Sequence, residues 1–222
     1  MKAMILAAGR GARMRPLTDY TPKPLLKVAG KALIEYHIES LVRAGFADII
    51  INHAWLGEQF EQVLGNGQRY GARLAYSPEG ATALETGGGI FKALPLLGTE
   101  PFVVVNGDVW TDYPFAQLPR TMTTLAHLVL VPNPPQHPHG DFFFAGGALR
   151  ESGPAKFTFS GIGMYRAELF AGCRPGAFPL APLLRTAIAQ GRAGGELYEG
   201  GWYDIGTPER MEQLDRKLRL TP

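Results

Sequence analysis

Gly9, Gly11 and Arg13 follow a short apolar run, and Lys23 comes next between Pro22 and Pro24. Residue types in this order suit a polyanion. Glycines let the backbone approach phosphate oxygens closely and expose its N–H groups as donors. A guanidinium grips two oxygens at once, and a lysine between two prolines is a compact charge on a restrained backbone. Residues 10–27 hold Arg10, Arg13, Arg15, Lys23 and Lys27 against the single acid Asp19. Further along, Asp108 ends the run FVVVNGD and Asp204 sits in WYDIGTP. Magnesium takes hard oxygen ligands, typically one or two carboxylates with phosphates and water. Asp108 just past a strand end, with Asp204 as a second ligand, would place such an ion over a phosphate loop. Each segment also has a plainer reading. NGD favours turns, and Thr207 with Pro208 makes an ordinary helix start that is compatible with metal binding by Asp204.

These residues are positioned by alternating apolar runs and helical patterns. Residues 3–7, 47–52, 73–76 and 102–105 read as strands; 33–44, 56–64 and 86–97 read as helices, the last despite three glycines. That rhythm predicts an α/β fold, a Rossmann-like and mostly parallel sheet with helices on both faces. The phosphate loop follows the first strand, at the carboxyl end of the sheet, where such folds bind ligands. After residue 120 the pattern becomes more antiparallel. Strands are expected over 124–131, 142–144, 148–150, 156–165 and 202–205, and helices over 183–190 and 208–218. Residues 132–140, with four prolines, read as a loop. No repeat or linker appears, and residues 1–222 are expected to form one domain.

Composition narrows the function classes. A net charge of +2, from 22 basic and 20 acidic residues, gives little footprint for nucleic acid. No apolar stretch approaches the ~18 residues that span a bilayer. The lone Cys173 can form no internal disulfide, so a reducing cytoplasm is expected. Spacing excludes two nucleotide motifs: a dinucleotide fingerprint needs glycine where Met14 stands, and Gly30-Lys31-Ala32 fails a Walker A loop at its third residue. The prolines at 16, 22 and 24 predict an extended loop rather than a helix after the glycines.

The whole segment from Leu6 to Leu26 resembles the signature GxGxRLxPLTxxxPKPLL of the sugar-1-phosphate nucleotidyltransferases. Gly9, Gly11, Arg13, Pro16, Leu17, Thr18, Pro22, Lys23, Pro24 and Leu25 match it; Met14 replaces the usual Leu and Ala12 a frequent Thr. The strand-end GD and the W-x-D-I-G-T-P segments resemble the same family in the expected order. The resemblance implies a GT-A-like nucleotidyltransferase fold with a small antiparallel sugar-binding part. It implies transfer of a nucleoside monophosphate from a nucleoside triphosphate to a sugar 1-phosphate, with Mg2+ as cofactor. Gly9, Gly11, Ala12 and Arg13 would hold the triphosphate, with Asn106 also binding the nucleotide, Lys23 would neutralise the reacting phosphates, and Asp108 and Asp204 would bind metal. Glu79, Glu85, Thr86 and Gly87 would form the nucleobase segment, with Glu85 where a small residue is usual. Gly140, Asp141, Glu151, Ser160 and Gly161 align with the sugar-binding order. A lysine expected after that Glu is absent, with Lys156 as a substitute. His127, His137 and His139 fit no standard metal spacing and read as solvated.

Within the family, the Pro-rich loop running into His139-Gly140-Asp141-Phe142 resembles the uridylyltransferases that act on N-acetylmuramic acid α-1-phosphate in peptidoglycan recycling. Guanylyl transfer to mannose or heptose 1-phosphates, cytidylyl transfer to phosphocholine, and a catalytically silent regulatory subunit stay open on spacing alone. Oligomeric state is not readable from these residues.

Overall fold

The computed structural model describes residues 1–220. Its first part runs β1 (Ala3–Leu6), a two-stranded hairpin of β2 (Lys27–Val28) and β3 (Lys31–Ala32), α1 (Leu33–Arg43), β4 (Asp48–His53), α2 (Glu58–Leu64), β5 (Arg73–Pro78), α3 (Glu85–Leu97) and β6 (Phe102–Asn106). The second part holds β7 (Val109–Thr111), β8 (Ala126–Val131), β9 (Phe142–Ala145), β10 (Ala148–Arg150), β11 (Lys156–Tyr165), α4 (Ala181–Ala189), β12 (Ala193–Leu197), β13 (Trp202–Asp204) and α5 (Pro208–Leu220). One nine-stranded sheet, in the order β5-β4-β1-β6-β11-β8-β12-β10-β9, runs through both.

β5, β4, β1 and β6 are mutually parallel. The inner strands β4, β1 and β6 are buried on both faces, so residues 49–51, 3–5 and 102–105 are continuous apolar runs, whereas β5, at the sheet edge, is partly exposed and mixed in polarity. Ala3 and Ile5 of β1 face α1 and α2 through Ile34, Ile38, Leu41, Phe60 and Leu64. Met4 faces the other way, towards Ile90, Ala93 and Leu97 of α3 and Leu184, Ala187 and Ile188 of α4. The expected sheet with helices on both faces is therefore present.

β11 enters antiparallel beside β6 and joins this half to the rest. β8 and β12 continue the sheet, β10 and β9 follow, and β9 pairs back onto the first residues of β11, so five strands form a closed ring. Closure removes exposed edges. β12, with the sequence AGGEL, has no strand periodicity; its place is set by parallel pairing to β8 over five residues. It was not legible locally, and neither were the two- and three-residue strands β2, β3 and β7.

The phosphate loop departs from expectation. Instead of an extended chain it is a series of three short 3-10 turns, Ala12–Met14, Leu17–Asp19 and Lys23–Leu25. Proline tolerates the first positions of a helical turn, so the prolines punctuate these turns. A small third cluster anchors the loop: Met14 is fully buried against Val28, Leu33, Ile205 and Leu214. The same cluster binds α5 and the segment after Asp204 to the back of the loop.

Candidate active site

The carboxyl ends of β1 and β6 meet at the cleft. The Gly107 N–H donates to the Leu6 carbonyl at 2.9 Å, tying the end of β6 to the start of the phosphate loop. Gly11 adopts φ +66, and a Cβ there would lie 3.0 Å from the Thr18 methyl and 3.2 Å from Lys23 Cβ. The Thr18 hydroxyl donates to the Gly11 carbonyl at 2.9 Å. Glycine is needed at this position for both its backbone conformation and the space it leaves.

Lys23 is carried below the loop with its side chain 7% exposed, and its Nζ lies 2.8 Å from Oδ2 of Asp108, which is 43% exposed. A nearly buried ammonium requires a partner, and its removal leaves an uncompensated charge. Asp108 also lines both cavities described below. β7 and β13 pair antiparallel with Asp204 opposite Val109, and the Ile205 N–H donates to the Asp108 carbonyl at 3.0 Å. This short ladder brings Asp108 and Asp204 to one cavity. Asp204 in turn is bridged by Arg210 of α5. Behind the ladder, the buried His37 ring contacts the Val109 carbonyl through Nε2 at 2.7 Å. Burial holds the His37 pKa down, to about 4, so this imidazole is neutral at physiological pH and Nε2 donates.

Two cavities open from this junction. The larger, of about 390 Å³, is lined by Gly9, Gly11, Ala12, Arg13, Lys23, Glu79, Glu85, Thr86, Asn106 and Asp108, among others. It gathers every nucleotide-side residue expected from the sequence except Gly87, which is buried in the first turn of α3. Glu79 is committed to structure. Its carboxylate accepts from Asn52 Nδ2 at 2.5 Å and from the Leu84 N–H at 2.6 Å. Asn52 also accepts from the Ala7 N–H at 2.9 Å and lines the cavity. It was missed; its only signal was an amide at the end of an otherwise apolar strand. Gly206, from the segment that supplies Asp204, closes one side of the same cavity.

The second cavity, of about 210 Å³, shares Asn106 and Asp108 with the first and adds Asp204, Trp202, Thr158, Phe159 and Ser160 of the five-stranded ring and its neighbours. Here the sequence expectations need correction. The Ser160 side chain does not present a hydroxyl to the cavity: it is 1% exposed, donates to the Val129 carbonyl at 2.7 Å and accepts from the Ile162 N–H at 3.1 Å. It shapes a bulge in β11, where pairing to β8 shifts between Phe159 and Ile162. Gly161 in that bulge has φ +82, and a Cβ there would lie 2.7 Å from the Asn106 side chain. Its role here is to admit Asn106. Glu151 lies elsewhere, lining a separate cavity with Arg150, Lys156, Arg185 and Asp141. The structure does not bring Glu151 or Lys156 to Asp108, because β9 and β10 carry that end of the ring away. Gly140, at φ +58, packs against Asn133 and the backbone of Lys156 and Phe157. Asp141 accepts from the Phe159 N–H at 2.8 Å and meets His137 Nε2 at 3.0 Å. His137, Gln136 and Pro134 line the second cavity, so the Pro-rich loop is a wall of the site rather than a solvated excursion.

The donor set fits magnesium. Asp108 and Asp204 offer two hard carboxylates on one cavity. One oxygen of each carboxylate is engaged within the protein, Asp108 by Lys23 and Asp204 by Arg210, and among the described residues no three His, Cys, Asp or Glu side chains gather as a metal cluster.

A parallel-sheet half, a five-stranded ring, and a Gly-Arg-Lys loop facing two aspartates together define a nucleotide-handling enzyme class, and comparison with known proteins agrees. The family model described as Nucleotidyl transferase matches residues 2–142, and the chain belongs to that family. It is similar to an N-acetylmuramate alpha-1-phosphate uridylyltransferase from Neisseria meningitidis serogroup B, with 54% identity over 96% of each chain. A protein of the same description from Caulobacter vibrioides is 35% identical over 97% of this chain and 96% of its own. Among solved structures, a glucose-1-phosphate thymidylyltransferase from Bacillus anthracis superposes with a TM-score of 0.89 at 20% identity, covering 100% of this chain and 96% of that one. That likeness concerns the fold alone.

Proposed function

We propose that this chain transfers UMP from UTP to N-acetylmuramic acid α-1-phosphate, yielding a UDP-sugar and pyrophosphate. The observation that carries the reading is the junction: two cavities, one walled by the phosphate loop and one by the ring, share Asn106 and Asp108. A nucleoside triphosphate in the first and a sugar 1-phosphate in the second would place donor and acceptor phosphates against the same aspartate. The substrate names come from the similarity to the Neisseria and Caulobacter proteins.

In this reading the loop N–H groups around Gly9 and Gly11, with Arg13, hold the triphosphate, and the first turn of α3 with Glu85 and Thr86 borders the base. The sugar phosphate oxygen attacks the α-phosphorus in line. The bond from the α-phosphorus to the bridging oxygen breaks, and that oxygen leaves with pyrophosphate. A phosphate monoester is already ionised near neutral pH, so no protein base is required. Lys23 supplies positive charge where it accumulates, and positioning provides much of the remaining acceleration. Bound Mg2+, held by Asp108 and Asp204, would neutralise phosphate charge and orient the reacting groups. Residues 1–222 act as one catalytic unit in this account, because a single sheet carries both cavities. No helix among the described residues is long and apolar enough to cross a membrane, and a UTP-consuming reaction belongs in the cytoplasm.

The test is pyrophosphate release with Mg2+ across the four nucleoside triphosphates and a panel of sugar 1-phosphates. Release with UTP and the muramic acid substrate, well above all other pairs, is the expected result. Preference for GTP with mannose 1-phosphate, or for CTP with phosphocholine, would replace the substrates. Silence across the whole panel would refute the enzymatic reading.

A further inference from the structure

Muramic acid differs from ordinary hexosamines by a carboxylate, and the second cavity contains few groups able to meet one. No lysine or arginine lines it. Three of its polar side chains are already engaged inside the protein. The Thr158 hydroxyl donates to Asn133 Oδ1 at 2.9 Å, the Ser160 hydroxyl to the Val129 carbonyl at 2.7 Å, and the Trp202 indole N–H to the Ser160 carbonyl at 2.8 Å. Asn106 lies at the Asp108 end, where the two cavities join. The remaining side-chain donors among the lining residues are Gln136 and His137, both on the Pro-rich loop.

His137 is the better placed for an anion. Asp141 is fixed by the Phe159 N–H at 2.8 Å through one carboxylate oxygen, and its other oxygen meets His137 Nε2 at 3.0 Å. A carboxylate can only accept, so this contact puts a proton on Nε2. The ring's second nitrogen, Nδ1, is then the one not engaged by Asp141. The ring stands half-exposed; it meets Asp141 and lines a cavity whose charged residues are Asp108 and Asp204. Donation from Nδ1 to a second carboxylate uses the form of the ring that carries a proton on both nitrogens, which can donate to two carboxylates at once.

We propose that His137 recognises the carboxylate of the sugar substrate, with Asp141 as the residue that positions its ring. His137 is then the specificity determinant that separates an acidic sugar 1-phosphate from neutral ones. This inference rests on the proposed function and names the group within that site that reads the substrate's acid. Lys156, Arg150 and Arg185 are the competing cations, in the separate cavity that Asp141 and Glu151 line.

The experiment compares kcat and KM for N-acetylmuramic acid α-1-phosphate and for its neutral lactamide analogue, with UTP and Mg2+. The wild type, His137→Ala, His137→Gln, Asp141→Asn and Arg185→Ala are measured side by side, with thermal melting to confirm folding. Losing a hydrogen bond to a charged group predicts a rise in KM for the acid on the order of 10- to 100-fold in His137→Ala. Its kcat should hold, and KM for the lactamide should change by less than about threefold, within the small net worth of a neutral contact. His137→Gln, which retains a donor but no charge, should fall between. Asp141→Asn should raise KM for the acid by a smaller factor than His137→Ala. An equal change for both substrates in His137→Ala would overturn the inference. So would an intact preference for the acid in His137→Ala together with its loss in Arg185→Ala. A wild type with no preference for the acid over the lactamide would also overturn it, whereas a wild type inactive on both but active on another sugar would overturn the proposed function itself.

Discussion

On the nucleotide side, the groups that would hold a triphosphate are chain neighbours: Gly11, Thr18 and Lys23 pack against one another within a single loop. On the sugar side the wall is assembled from residues 134–137, residues 158–160 and residues 202–204, which come together only through the five-stranded ring and the β7–β13 ladder. The first arrangement demands particular residues at fixed spacing, since turns, glycine conformation and a buried lysine are all local constraints. The second demands a ring geometry and leaves the wall residues freer to vary. The family model matches residues 2–142, which takes in the phosphate loop, Asn106 and Asp108 and, of the sugar-side wall, residues 134–137.

The predictions test how far the two sides can be separated. The largest effect is expected where they join. Asp108→Asn keeps an acceptor for Lys23 but weakens the proposed metal ligand, and Lys23→Ala removes the buried charge. Each should lower kcat by on the order of 10³-fold or more with the fold retained, measured as pyrophosphate release at saturating Mg2+. Activity near wild type in Asp108→Asn would show that the junction is elsewhere.

Gly161→Ala probes the bulge in β11, the strand that joins the halves. Its Cβ would sit 2.7 Å from Asn106 at φ +82. About 1–2 kcal/mol of stability should be lost to the left-handed backbone alone, with kcat falling on the order of tenfold as Asn106 shifts. A variant that loses stability but keeps kcat would confine Gly161 to a structural role.

Acid sensitivity should come partly from the nucleotide half. His37 has a folded pKa depressed to about 4 from 6.5. The unfolded chain therefore binds the extra proton first, and stability is lost as pH falls from about 6.5 towards 4. Between pH 7 and pH 5 this amounts to about 2 kcal/mol. Denaturant titrations of the wild type and His37→Gln should show that slope in the former and a flatter one in the latter; parallel slopes would contradict it.

The smallest effect is expected at Glu151. Because it lines a separate cavity from Asp108 and Asp204, Glu151→Ala should change KM for the sugar phosphate by less than about threefold, the scale of an exposed ionic contact. A rise of tenfold or more would return Glu151 to the sugar site and weaken the division drawn between the two cavities.

What was legible in the sequence follows the same division. The inner strands β1, β4 and β6 announce themselves because both their faces are buried and their apolar runs are continuous. The loop from Gly9 to Lys23, Asp108 and Asp204 lie in motifs whose spacing is itself the geometry. Asn52 gave little sign, since its work is to link two strand ends across 45 residues of chain. The ring misled in both directions. Ser160 and Glu151 stand at the expected places in the order of residues, yet the bulge turns one inward and β10 carries the other away. His137, in a loop whose composition suggests only solvent, becomes a cavity wall because Asp141 holds it there.

The central claim is that two cavities sharing Asp108 permit direct transfer, with no group of the protein bonded to the nucleotide. The stereochemistry at phosphorus tests this most directly. UTP made chiral at the α-phosphorus by a single sulfur substitution is turned over with the sugar 1-phosphate, and the configuration of the thio-UDP-sugar is read by 31P NMR. A single in-line displacement predicts inversion; retention would require a covalent nucleotidyl-protein intermediate and would contradict the account.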